Sequence, residues 1–110
     1  MKNKNNNPKD ADKSADSALL GVRTHELKTE PAYFEQIWNG TKNFEVRKND
    51  RGFQKGDIVI LKEYDNGKHW HKDYKYTKRE IRATIGFVLS EYQKEGYVTF
   101  SLLNIEKCDT

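Results

Sequence analysis

Between Ile81 and Leu89 the chain alternates with a period of two: Ile81, Ala83, Ile85, Phe87 and Leu89 share one face, while Arg82 and Thr84 face the other way. Successive side chains of an extended strand point to opposite faces, so this is the signature of a half-buried strand rather than of a helix stripe. A strand with one apolar face is not stable alone. It needs partner strands and something to cover that face.

The rest of the chain supplies both. Val22 to Lys28 reads as a first strand. Asn43 to Asn49 reads as a second, with Phe44 and Val46 assigned to the core and Glu45 and Arg47 to the opposite face. Ile58 to Tyr64 is a third, whose four consecutive apolar residues, Ile58-Val59-Ile60-Leu61, suggest burial on both faces. Tyr97 to Ile105 closes the series. Between the first two strands the period changes: Phe34, Ile37 and Trp38 recur at helical spacing. Pro31 suits the first turn of that helix and Gly40 its stop. Asp65-Asn66-Gly67 signals a turn, after which Lys68 to Thr77 is aromatic and basic with no clear period. The expected fold class is α+β and mostly β: a small, mostly antiparallel barrel of five or six strands with one main helix, near residues 31–39, packed against it. Its expected core comprises Phe34, Ile37, Trp38, Phe44, Val46, Ile58, Ile60, Ile85, Phe87 and Phe100.

At 110 residues the chain suits one domain. Residues 1–18, rich in Asn, Lys, Asp and Ser, read as a disordered tail, leaving 19–110 for the fold. The net charge of +3 is a mild basic excess that would favour a phosphate-bearing partner. One cysteine, Cys108, allows neither an internal disulfide nor a cysteine-built metal site, which fits a reducing, cytoplasmic setting. Residues 1–18 carry no apolar stretch of the secretory kind, and no apolar run is long enough to span a bilayer, so no membrane role is expected.

Gly40-Thr41-Lys42-Asn43-Phe44-Glu45-Val46-Arg47 follows the pattern G-x-K-x-x-E-x-R, placed between the helix and the second strand. With His25-Glu26-Leu27-Lys28, Pro31 and Tyr33-Phe34 upstream, the chain resembles the ASCH domains of the PUA-like superfamily, and the DUF3850 family in particular. The likeness continues through Arg47 to Arg51, Phe53, Gly56-Asp57, Leu61, Glu63-Tyr64, Tyr76-Thr77, Arg79-Glu80 and Gly96-Tyr97-Val98, about residues 24–105. One departure is Lys78, where the pattern of relatives has glycine. The resemblance implies a PUA-like barrel with a cleft beside the signature. It also implies a module that binds RNA, single-stranded nucleic acid or a nucleotide-like ligand, with a small amidohydrolase acting on a modified nucleoside as the alternative.

His25, Lys42, Glu45 and Arg47 are the expected ligand-binding residues. A lysine at position 42 offers a movable point charge for phosphate. Glu45 and Arg47, two apart on a strand, share a face, and the acid can orient the guanidinium toward a phosphate or a base edge. In the amidohydrolase reading Lys42 and Glu45 would be catalytic, although Glu45 stands where that branch has threonine. Downstream, Trp70, Tyr74 and Tyr76 interleave with Lys72 and Arg79, a pattern suited to stacking on bases and meeting phosphates. The same hairpin could instead serve as a protein-interaction surface. His69 and His71 lack a third ligand, so no metal and no cofactor are expected.

Overall fold

A computed structural model describes residues 21–66 and 75–109. The expected tail at 1–18 and three of the expected nucleic-acid contacts, Trp70, Lys72 and Tyr74, lie outside the described residues, as do His69 and His71. The order of elements is β1 (Thr24–Thr29), α1 (Pro31–Trp38), β2 (Phe44–Lys48), β3 (Ile58–Asp65), β4 (Lys75–Leu89) and β5 (Tyr97–Asp109). The fold is mostly β with one short helix, as the periodicities require.

The five strands form one sheet in the order β1-β3-β4-β5-β2. β1 runs parallel to β3, and the other three pairings are antiparallel. The chain leaves β1, crosses by way of α1 and β2, and returns as β3, because parallel neighbours cannot be joined by a tight turn. Leu27, Val59, Leu61, Ile81, Ala83, Ile85, Val98, Phe100 and Leu102 from the strands form the core with Phe34 and Ile37 from the helix and Phe53 from a loop. The helix thus covers the concave face, its stripe at positions 34 and 37 supplying the packing.

The sheet curls into a half-barrel without closing. β1 and β2 are its two edges, and no ladder joins them among the described residues. Arg23 accepts from the Ile58 N–H, so odd-numbered residues of β1 bond to β3 and even-numbered ones turn their carbonyls away. Those carbonyls still need donors. The Lys28 carbonyl accepts from Arg47 Nη1 (3.1 Å) and the Glu26 carbonyl from Arg51 Nη1 (3.1 Å). Guanidinium groups bridge the gap where a closed barrel would have a backbone ladder.

Six core assignments change. On β2 the parity is inverted: Glu45 is only 3 % exposed, while Phe44 and Val46 are 42 % and 50 % exposed. Alternation defines two faces but not which one enters, and here the polar face enters because Lys42 and Arg47 compensate the buried acid. On β3 the fully buried pair is Val59 and Leu61, with Ile58 and Ile60 half-buried on the other face. On β4 the register shifts between Ile85 and Val88, so Phe87 turns outward to 66 % exposure and Val88 packs toward the core. Gly86 makes this bulge possible, since a Cβ there would stand 2.5 Å from Ser101 Oγ, the atom that accepts from the Phe87 N–H. Trp38 is only partly buried, stacked on Phe34 at the margin of the core. Among the described residues no helix is long and apolar enough to cross a membrane.

Candidate functional site

The signature residues meet at the open seam between β1 and β2. Glu45 points inward from β2, and its two oxygens are held by different cations: Oε1 by Arg47 Nε at 2.8 Å and Oε2 by Lys42 Nζ at 3.3 Å. Arg47 uses three of its five N–H groups, donating also to the Lys28 carbonyl and, from Nη2, to Thr29 Oγ1 (2.9 Å). One buried carboxylate therefore balances two cations, and the cluster keeps a net positive charge. Lys42 follows the helix stop, where its main-chain N–H donates to the Gln36 carbonyl. Its ammonium lies 5.4 Å from the centre of the Tyr33 ring and 5.3 Å from that of Phe44, a cation held between two aromatic faces.

Around this cluster opens a groove of about 890 Å³, lined by Tyr33, Lys42, Phe44, Glu45, Arg47 and Tyr97 among others. It follows the outer edge of β2. In the β2–β5 ladder Asn49 donates to Gly96, and Leu102 donates to Asn43, so odd-numbered residues bond to β5. The even ones, Phe44, Val46 and Lys48, turn their N–H and C=O away from it, and all three line the groove. Lys48 has no ion-pair or hydrogen-bond partner among the described residues.

His25 lies elsewhere. It is four residues before Thr29 on β1, about 13 Å along the strand, is 6 % exposed, and is not among the residues lining the groove. Its Nε2 is 2.8 Å from Asp57 Oδ2, and its ring packs edge-on to Phe53. Asp57 also accepts from the main-chain N–H groups of Arg23 and Gln54, so this pair ties the start of β1 to the loop before β3.

Arg79 is occupied within the fold. Its Nε and Nη2 grip both oxygens of Glu63, at 2.8 and 2.9 Å, while Nη2 also reaches Glu35 on the helix. The guanidinium lies over the rings of Phe34 and Trp38. Hydrogen bonding to Glu63 raises the Arg79 pKa further above its ordinary value. Burial pushes Glu63 the other way, toward a higher pKa, but bonds from Arg79 and Thr77 prevail and hold it below the usual carboxylate value. Tyr76 is half exposed, edge-on to Tyr64, beside a second cavity of about 460 Å³.

The structure therefore brings Lys42, Glu45 and Arg47 together and leaves His25 and Arg79 outside. Sequence reasoning missed Tyr33, Lys28, Lys48 and Tyr97 as groove or edge residues and placed Phe44 in the core. The helix period carried part of the signal, since Tyr33 stands beside the buried Phe34 and off its stripe. Among the described residues no group of three or more His, Cys, Asp or Glu side chains could hold a metal ion.

Comparison with known proteins adds two findings. The model of a domain of unknown function, DUF3850, matches residues 24–102. A protein of Escherichia phage P2, described as an uncharacterized 12.9 kDa protein in the GpA 3′ region, is 35 % identical over 64 residues, 58 % of this chain and 52 % of that protein. The chain thus matches about half the length of this curated relative.

Proposed function

The chain belongs to the DUF3850 family, and we propose that it is a binding module of the ASCH, PUA-like type that holds RNA or a nucleotide-like ligand in the groove beside β2. The observation that carries this reading is the company Lys42 keeps. A protonated amine, two partly exposed rings and an unpaired strand edge border the same groove. Those features answer the three parts of a nucleotide: cation for phosphate, ring for base face, and main-chain N–H and C=O for the polar base edge. Glu45 and Arg47 act as the frame, fixing Lys42 and the β2 edge relative to β1.

A hydrolase reading is less favoured by the same geometry. A general base must reach a water or a substrate proton. Glu45 is buried with one oxygen on Arg47 and the other on Lys42, which leaves it little open face.

The test is a titration of the labelled protein, followed by NMR, with nucleoside monophosphates and short RNAs. Amide shifts should cluster at Tyr33, Lys42 and residues 44–48. Shifts confined to the outer face around Phe87 and Leu103, or none with any of these ligands, would defeat the reading.

A further inference from the structure

The groove is not isolated. The 460 Å³ cavity shares three lining residues with it, Lys28, Arg47 and Lys48, so these side chains form a ridge with a cavity on either side. The second cavity is basic, with Lys28, Arg47, Lys48, Arg51 and Lys62 against Glu26 and Asp50. Its charges are not equally available. Lys62 is paired with Glu26 at 3.3 Å, and Arg51 stands 3.9 Å from Asp50. Lys28 and Lys48, on the ridge, have no acidic partner among the described residues, and the Lys28 ammonium lies over the Tyr64 ring. Arg47 retains two unused N–H groups there. Exposed or partly exposed aromatic rings lie on both sides: Tyr33, Phe44 and Tyr97 by the groove, Tyr76 by the second cavity.

From this arrangement we propose that the two cavities are adjacent subsites for one single-stranded oligonucleotide, with a phosphodiester on the Lys28–Arg47–Lys48 ridge and a base on either side. The proposal rests on the binding role of the groove and narrows its ligand from a mononucleotide to a dinucleotide or longer strand. Lys28 and Lys48, without an acidic partner among the described residues, flank Arg47 where a backbone must cross, and accessible rings stand where bases would rest, which is how strands without base pairing are held. Electrostatic capture of this kind also predicts a binding constant that falls with salt.

Isothermal titration of the whole chain with nucleoside monophosphates and the matching dinucleotides separates the possibilities. The dinucleotide should bind at least tenfold more tightly. Replacing its linkage with an uncharged methylphosphonate should remove most of that gain. Tyr76→Ala should weaken the dinucleotide several-fold and leave the monophosphate unchanged, with circular dichroism melting to confirm folding. Equal affinity for monophosphate and dinucleotide, or indifference to the neutral linkage, would overturn the second subsite while leaving the groove intact. Binding of neither, with heat released on titrating a glutamate-rich peptide alone, would overturn the nucleotide reading itself.

Discussion

Arg47 Nη2 donates to Thr29 Oγ1 at 2.9 Å across the gap between β2 and β1, two strands that share no backbone ladder. The same guanidinium holds the buried Glu45. Removing it should leave a buried carboxylate with one cation and an edge carbonyl without its donor. Arg47→Ala is expected to cost about 2–3 kcal/mol of stability, read by urea unfolding. Arg47→Lys should recover only part of this, because an ammonium cannot reproduce the forked geometry. A loss under about 0.5 kcal/mol, the usual scatter of surface substitutions, would show that the seam does not depend on this bridge.

Lys42 should behave differently. Its pairing with Glu45 is partly solvated, and Arg47 remains to compensate the acid. Lys42→Ala should cost at most about 1 kcal/mol of stability. It should weaken RNA binding by about 1–3 kcal/mol and flatten the dependence of log K on log salt if the amine meets phosphate. Fluorescence anisotropy with a labelled RNA at several salt concentrations measures both. An unchanged salt slope would place phosphate elsewhere.

The Glu63–Arg79 clamp sets an acid limit on the fold. Glu63 titrates in the folded state below its ordinary value of 4.5. The unfolded chain therefore binds a proton first as pH falls. The clamp's contribution is complete above the unfolded value and is lost as pH drops through the folded one. Stability should accordingly decline below about pH 4.5, and Glu63→Gln should be less stable at pH 7 and show a shallower acid decline. Parallel pH profiles for the two proteins would remove Glu63 as the cause.

How much of this could be read from the sequence depends on which residues carried a period. The helix, most of the strands and the burial of Phe34, Ile37 and Ile85 followed from spacing, because burial of one face imposes it. Phe87 was misplaced because Gly86 permits a bulge, and one extra residue in a strand inverts the parity after it. Phe44 and Val46 were misplaced because alternation is symmetric, and a charged face enters only where long-range partners await it. Glu45, Arg47 and Lys42 came together as expected. His25 did not join them, since its partner Asp57 is 32 residues away and no local pattern announces the pair.

Lys78 stands in a backbone conformation that favours glycine. Its φ is +83°, in the left-handed region where a Cβ is strained. Lys78→Gly should relieve that strain, offset by the greater freedom glycine gains in the unfolded chain. The net expectation is a stabilisation of about 0.5 kcal/mol, visible as a small rise in melting temperature. A clear fall would show that contacts of the Lys78 side chain outweigh the backbone strain.

The edge of β2 offers a test that side-chain truncation cannot. The Val46 N–H points away from β5 into the groove, so it is available to a base edge and takes no part in the sheet ladder. Proline is tolerated on an edge strand at such a position, because the lost N–H was bonded to no strand. Glu45, which precedes it, is already extended, as a residue before proline prefers. Val46→Pro should therefore fold, with a stability loss of about 1 kcal/mol from the fixed φ. It should weaken nucleotide binding by about 1 kcal/mol, the worth of one neutral hydrogen bond. Val46→Ala, which keeps the N–H, serves as the control and should bind nearly as the parent does. If Val46→Pro and Val46→Ala bind alike, the β2 backbone reads nothing and the groove relies on its rings and cations. If Val46→Pro fails to fold, the N–H is bonded within the protein, and the groove does not follow a free edge.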